Sequence, residues 1–319
     1  MHNDKRSSPV DQRSSPVDKR STPRSGSVDT SAIVLLRGGG DLATGVALRL
    51  HRAGIKLVVT ELAQPLAVRR AVSFAEAVYE GKHAVEGVTA RLVKPDQLSA
   101  VLEADEIPVL VDPNVDILLS HLQSLAPSAR TGVRAVQVSF FLIVIDARLT
   151  KQPPSPLPVN VSLHIGLGPG FHAGINCDAA IETRRSHTLG RVYWNGSTQA
   201  DSGQPEGDPR RVLRAPKEGM VRTKAKIGEH IEAGQVVAVI SSQSSIGSEQ
   251  YSVVSPFRGV LRGLIRDGIH VSKGLKIGDI DPRDDPSACF LVSDKALAIG
   301  GAVLEATLTK KEIREKLWK

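Results

Sequence analysis

The chain has 319 residues, room for about two domains of ordinary size, and 41% hydrophobic against 24% charged residues is the composition of a globular protein. The net charge of +7 is spread, +2 on the first 30 residues and +5 on the rest, and only 11 residues are aromatic, so no clustered basic face marks a nucleic-acid binder. Cys177 and Cys289 cannot build a disulfide scaffold or a cysteine-rich metal cluster, and the longest apolar run, residues 140–145, falls far short of the roughly 20 residues a membrane helix needs.

Residues 1–30 repeat at a seven-residue spacing, with Arg6, Arg13 and Arg20 each opening an Arg-Ser-Ser/Thr-Pro segment. The segment has no aromatics and no apolar seam, and reads as a disordered tail. It is Ser- and Arg-rich like a transit peptide, but its four Asp residues argue against one, and no apolar h-region is present. A cytoplasmic, reduced protein is expected. Order begins at Ala32. Residues 32–36 form a continuous apolar run, the pattern of a buried parallel strand. Gly38, Gly39, Gly40 and Asp41 follow, then Leu42, Val46, Leu48 and Leu50 at near-helical spacing up to Gly54, and a second strand at residues 56–61. This is a βαβ unit. Next come a helix-like stretch at 66–79, a strand at 88–93, a helix near 96–104 and a strand at 107–111. Residues 138–145 are the most apolar strand, and 162–165, 179–182 and 191–194 are shorter ones. The alternation predicts an α/β sheet for residues 31–205.

A Gly-, Pro-, Ser- and Asp-rich linker, residues 195–210, marks a boundary. Beyond it lies an internal repeat: Pro216, Gly219, Arg222, Gly228, His230, Gly234 and Ile240 recur 40 residues later as Pro256, Gly259, Arg262, Gly268, His270, Gly274 and Ile280. Short apolar pairs between Gly and Pro predict all-β structure over 210–282, with two interlocked halves because neither could bury a core alone. Residues 293–319 have helical spacing and close the expected C-terminal segment, 283–319.

Two glycine-rich loops follow predicted strands. Gly38-x-Gly40-x-x-Ala43 fits the Ala-ended dinucleotide fingerprint, with Gly39 between the two glycines and Glu61 placed 21 residues after Gly40, where an acid contacts a ribose. Asp41 cuts against a phosphate there, since it would cap the helix itself; the alternative is a glycine turn with an Asp cap and no ligand. The second loop holds Gly166, Gly168 and Gly170 and could form an anion-binding nest, or simply a tight connection. Asp146, Lys151, Glu182 and His187 follow strand ends, where open α/β sheets bind ligands, and are the candidates for binding an anion or carrying protons. No His or Cys spacing points to a metal. Both cysteines read as buried thiols, with Cys177 the better reactive candidate.

Residues 37–45, 61–70, 74–81, 165–171, 181–183 and 189–191 together resemble YqeB-type accessory proteins of the selenium-dependent molybdenum hydroxylase system. The resemblance covers residues 31 to about 308. It implies a role in maturing a molybdenum hydroxylase, with that enzyme or its maturation proteins as partners; nucleic acid and membrane are not expected, and homo-oligomerisation stays open. The N-terminal half also resembles Rossmann-type domains, and the repeat resembles a biotinyl/lipoyl-type barrel-sandwich hybrid. The expected fold is therefore a Rossmann-like α/β domain, an all-β barrel-sandwich hybrid and a C-terminal helix. The connector 241–254 has no lysine for a swinging arm. The candidate ligands are NAD and a molybdopterin nucleotide. The rival functions are an NAD-dependent oxidoreductase with His187 or Lys151 as proton carrier, and a non-catalytic scaffold that docks through the β region.

Overall fold

The computed structural model describes residues 33–125, 141–157, 160–204, 207–244 and 247–317. The expected tail and the first residues of the 138–145 strand lie outside them.

The first part of the chain is built on one nine-stranded mixed sheet. Its strands are β1 (Ile33–Arg37), β2 (Leu57–Glu61), β3 (Lys82–Val85), β4 (Val88–Leu92), β5 (Ile107–Val111), β6 (Phe141–Asp146), β7 (Leu163–Leu167), β9 (Ala179–Ile181) and β10 (Val192–Tyr193), in the order β10-β9-β7-β6-β1-β2-β5-β4-β3. The seven inner strands pair in parallel, and the edge strands β3 and β10 are antiparallel. A short pair, β8 (His172–Ala173) with β11 (Gly196–Ser197), lies outside it. Alternate residues of the central strands bury on opposite faces. Val34, Leu36, Val59, Ile143 and Ile145 meet α1 (Asp41–Arg52) and α5 (Asp294–Thr309) on one side. Leu35, Val58, Leu110 and Val144 meet α3 (Leu98–Glu103) and α4 (Asp116–Leu125) on the other. Burial on both faces explains why these strands read as unbroken apolar runs.

α1 begins with Asp41 and ends with Arg49 and Arg52, charges that complement the helix dipole. It lies against α5 at glycines: a Cβ on Gly45 would stand 2.5 Å from the Ala296 carbonyl, and one on Gly300 would stand 2.5 Å from the Gly45 carbonyl.

The stretch 66–79 is not a helix. It folds as 3₁₀ turns at Arg70–Val72 and Phe74–Glu76 and a single turn, α2 (Ala77–Glu80). Two of its amides leave the segment: Ala75 N–H donates to the Gly39 carbonyl at 2.8 Å and Phe74 N–H to Thr44 Oγ1 at 2.9 Å, which ties it to the first glycine loop and interrupts a continuous helix. Four elements lie outside the predicted pattern. Strand β3 is made by a hairpin whose turn residues Glu86 and Gly87 both have positive φ. Helix α4 and the short strands β8 and β11 are the others.

The repeat forms β13 (Gly219–Thr223), β14 (His230–Ile231) and β15 (Val236–Ser244) in its first half, and β17 (Gly259–Leu264), β18 (His270–Val271) and β19 (Lys276–Asp281) in its second. With β12 (Val212–Arg214) and β16 (Gly247–Val254) they make two four-stranded antiparallel sheets, β12-β19-β17-β14 and β16-β15-β13-β18. Each half lends a strand to the other, β18 to β13 and β14 to β17. Their shared apolar core includes Val221, Ile231, Ile240, Leu261, Val271 and Ile280.

The expectation of a Rossmann-like domain, a barrel-sandwich hybrid and a separate C-terminal helix is corrected by this topology. A doubly wound domain carries a helix in each parallel crossover. Among the described residues the β6–β7 and β7–β9 connections carry none, and both sheet edges are antiparallel. Helix α5 fills the uncovered face from the far end of the chain, so it belongs to the mixed sheet and is no appendage. The repeat is two antiparallel sheets extended by β12 and β16. Helix α6 (Lys311–Arg314) adds Ile313 to the mixed-sheet core.

Candidate functional site

The first glycine loop leaves β1 with Gly38 at φ +95° and its amide donating to the Thr60 carbonyl at 2.8 Å. Gly39 lies against Ala75, where a Cβ would stand 2.9 Å from the Ala75 nitrogen. Its N–H donates to Glu61 Oε2 at 2.7 Å, and the other oxygen of Glu61 accepts from Leu62 N–H at 2.7 Å. Glu61 therefore anchors the loop with its own carboxylate and occupies the Gly39 amide. Gly40 is different: a Cβ there meets nothing within 4 Å. It opens α1, beside Asp41, whose carboxylate is 3.9 Å from the Arg69 guanidinium.

The second glycine loop is explained by packing. A Cβ on Gly166 would enter the Phe171 ring, one on Gly168 would come 2.5 Å from Thr183 Oγ1, and one on Gly170 would strike the Gln152 carbonyl. Gly168 and Gly170 also have positive φ, and the Gly168 amide is spent on the Ile181 carbonyl at 2.9 Å. Pro169, in the turn between Gly168 and Gly170, lines a cavity.

Two of the predicted carboxylates are structural anchors. Glu182 is fully buried and accepts from the Arg184 amide at 2.7 Å and the Gln199 amide at 2.8 Å, fixing two loops. Asp146 is buried at the end of β6, where it takes Arg148 Nε at 2.9 Å and Nη2 at 2.5 Å and lies 3.5 Å from Arg37. Burial, then the nearby Arg148, lowers the Arg37 pKa. His187 is exposed and lines no described cavity. Burial pushes the Cys177 thiol up to about 11, so at neutral pH it is a poor nucleophile; Cys289 is buried and raised for the same reason. Among the described residues no group of three or more His, Cys, Asp or Glu is placed to hold a metal, and no helix is long and apolar enough to cross a membrane.

The cavity that gathers the remaining candidates lies beyond the C-terminal ends of the parallel strands, between the mixed sheet and the repeat. One lobe, about 330 Å³, includes Lys151, Pro169, Thr183, Arg184 and Gln199. The other, about 360 Å³, includes Gly40, Asp41, Val68, Arg69 and Arg262. They share Leu42, Leu149, Arg211, Lys276 and Lys295 and form one cleft. Nine Lys or Arg side chains line it against three Asp, and each Asp has a cation within reach: Asp201 on Lys151 at 3.0 Å, Asp41 near Arg69, Asp279 on Arg211 at 2.6 Å. The cleft is thus strongly cationic. Leu149 and Lys151 in its wall hold positive φ, a conformation uncommon for such residues and recurrent at functional sites. Among the described residues no aromatic side chain lines either lobe. Burial lowers the Lys276 pKa; Asp279 and Asp41 oppose this, Arg211 and Arg262 add to it.

Of the sequence candidates, Gly40, Asp41 and Lys151 reach the cleft, Glu182 supports its wall, and Glu61, Asp146 and His187 lie apart from it. Arg211, Arg262, Lys276 and Lys295 were not anticipated. A signal for Lys276 was present in the repeat, where it and Asp279 correspond to Val236 and Val239 of the first half.

No protein-family model matches the chain. Among solved structures, an aspartoacylase family protein from Mesorhizobium loti shares 12% identity over 78% of this chain and 83% of that one, at a TM-score of 0.26. A succinylglutamate desuccinylase/aspartoacylase from Rhodobacter sphaeroides shares 11% over 78% and 85%, at the same TM-score. Scores that low carry neither fold nor chemistry across. In sequence the chain is similar to a curated protein of Escherichia coli (strain K12), named Uncharacterized protein YqeB, at 41% identity over 281 residues, 86% of this chain and 47% of that protein. The chain spans about half the length of that relative.

Proposed function

We propose that the chain is an accessory protein of a selenium-dependent molybdenum hydroxylase system, and that it binds a phosphate-bearing ligand, a nucleotide or a molybdopterin nucleotide, in the cationic cleft. The observation that carries the ligand class is the cleft's charge, nine basic side chains against three already paired carboxylates. Low-dielectric walls strengthen such a field and attract anions. The open position at Gly40 lets a ligand approach the start of α1, where helical amides favour negative charge. In this reading residues 31–205 and 210–282 supply the two walls, and 283–319 ties them together. The system assignment rests on the motif resemblance alone.

The residues do not fit NAD in the fingerprint manner. Glu61 occupies the Gly39 amide instead of offering its carboxylate to a ribose, and His187 is outside the cleft. What the chain's own residues supply is binding and orientation: Lys151 and Arg184 at one end, Arg69, Arg262 and Lys276 at the other.

The test is thermal unfolding of the whole chain with nucleoside mono- and diphosphates, NAD and the uncharged nucleosides. The expected result is a rise in Tm with the phosphate-bearing compounds, reduced by salt and by Arg184→Ala, and unaffected by His187→Ala. An equal shift with uncharged nucleosides, or no shift with any compound, contradicts the proposal.

A further inference from the structure

The repeat provides a comparison inside one chain. Its halves build the same strands with the same burial, residue by residue, from 231–240 to 271–280. Val236 and Lys276 are both half-buried, and Val239 and Asp279 are both buried. The first half shows that valine at either position is compatible with these strands, so the strands themselves do not require charge there. Only the second half carries it, and that half lines the cleft. The conserved arginine of the repeat also differs in use. Arg222 lies on the surface, 3.4 Å from Asp267, whereas Arg262 turns inward to Asp279 with Nε at 2.9 Å.

Asp279 is fully buried, and its two oxygens are divided between Arg211 and Arg262. A carboxylate in such a place is costly unless paired, and here its geometric effect is to hold two guanidiniums in one orientation. Lys276 Nζ stays 3.9 Å from Asp279, outside hydrogen-bond distance. Across the cleft, Arg69 is held by the Leu291 carbonyl at 3.0 Å and the Ala288 carbonyl at 3.3 Å, is more than nine-tenths buried, and keeps its Nε–H without a partner among the described residues.

We infer that the second half of the repeat is a dedicated phosphate subsite, in which Arg262, Arg211 and Lys276, oriented by Asp279 and faced by Arg69, hold a terminal phosphate or diphosphate of the ligand. This rests on the reading of the cleft as the ligand site and adds which wall takes the anion. The ligand's uncharged part then lies toward Thr183 and Gln199, and the phosphate is gripped by planar guanidiniums suited to paired contacts with its oxygens.

The test is calorimetric titration of the full chain with inorganic pyrophosphate and with ADP, for wild type, Lys276→Val, Lys276→Arg and Lys151→Ala. Valine is chosen because Val236 occupies the equivalent place, so the variant should keep the wild-type Tm. The expected result is at least a tenfold loss of pyrophosphate affinity in Lys276→Val, recovery in Lys276→Arg and a smaller loss in Lys151→Ala. If Lys276→Val binds pyrophosphate as tightly as wild type while ADP still binds the cleft and Lys151→Ala weakens it, the subsite is wrong and the cleft reading stands. If wild type binds neither compound, the cleft reading fails and the subsite with it.

Discussion

Glu182 and Glu61 show how a carboxylate at a strand end can serve the backbone instead of a ligand. Each accepts two amide hydrogens from loops that border the sheet. Glu182→Ala removes both bonds at a fully buried position and is expected to cost about 3 kcal/mol, by the scale of charge-assisted hydrogen bonds and the penalty for orphaned donors; urea unfolding measures it, and a loss below about 1 kcal/mol would contradict the anchoring role. Glycines divide in the same way. Gly166→Ala drives a methyl into the Phe171 ring and should lower stability by about 2 kcal/mol. Gly40→Ala meets open space and should fold with a near-wild-type Tm while narrowing the approach to α1. Sequence spacing located Gly40, Glu61 and Glu182 but not their partners, because a strand-end acid is equally suited to a ribose hydroxyl and to a neighbouring amide. Asp281 offers a titration test. Its carboxyl is held down to about 2, chiefly by the hydrogen bond from Arg283. Its folded value lies below the unfolded one, near 4, so the stabilisation is fully present above about pH 4 and is lost as pH falls toward 2. Asp281→Asn is expected to flatten the fall in Tm over that window; an unchanged acid limb would contradict it.

At the level of elements, the apolar runs of β1, β2 and β5 and the spacing of α1 were plain in the sequence because burial on two faces, or on one stripe, leaves a local pattern. Residues 66–79 carried an apolar pattern too, yet the Phe74 and Ala75 amides are taken by Thr44 and Gly39, partners about 30 residues away that no local window includes. The role of α5 was hidden for the same reason. Its spacing announced a helix, but its close approach to α1 depends on Gly45 meeting Ala296 and Gly300 across some 250 residues. Gly45→Ala should cost about 1–3 kcal/mol by forcing these helices apart, read as a lower denaturation midpoint at unchanged m-value. The repeat was the most legible feature, since seven identities at one spacing specify matching strands. The exchange of β14 and β18 between halves, and the charged face of the second half, required the pairing.

At the scale of the whole molecule, the cleft exists because the repeat is fastened to the mixed sheet. Buried Glu76 is bound by Arg266 and lies 3.4 Å from Arg70, Arg70 reaches the Leu264 carbonyl at 3.1 Å, and Val68 packs where a Cβ on Gly263 would not fit. These contacts place Arg262 and Lys276 opposite the start of α1, a cationic arrangement assembled from segments remote in sequence. Its even distribution along the chain is why net charge alone gave no hint of it. The most direct test is native mass spectrometry of the whole chain purified from cells that make molybdopterin. A retained small molecule whose fragments include phosphate, released at high salt and absent from Lys276→Val, is the expected result. A bare mass that added nucleotides do not change would contradict the assignment of the cleft as a phosphate-ligand site.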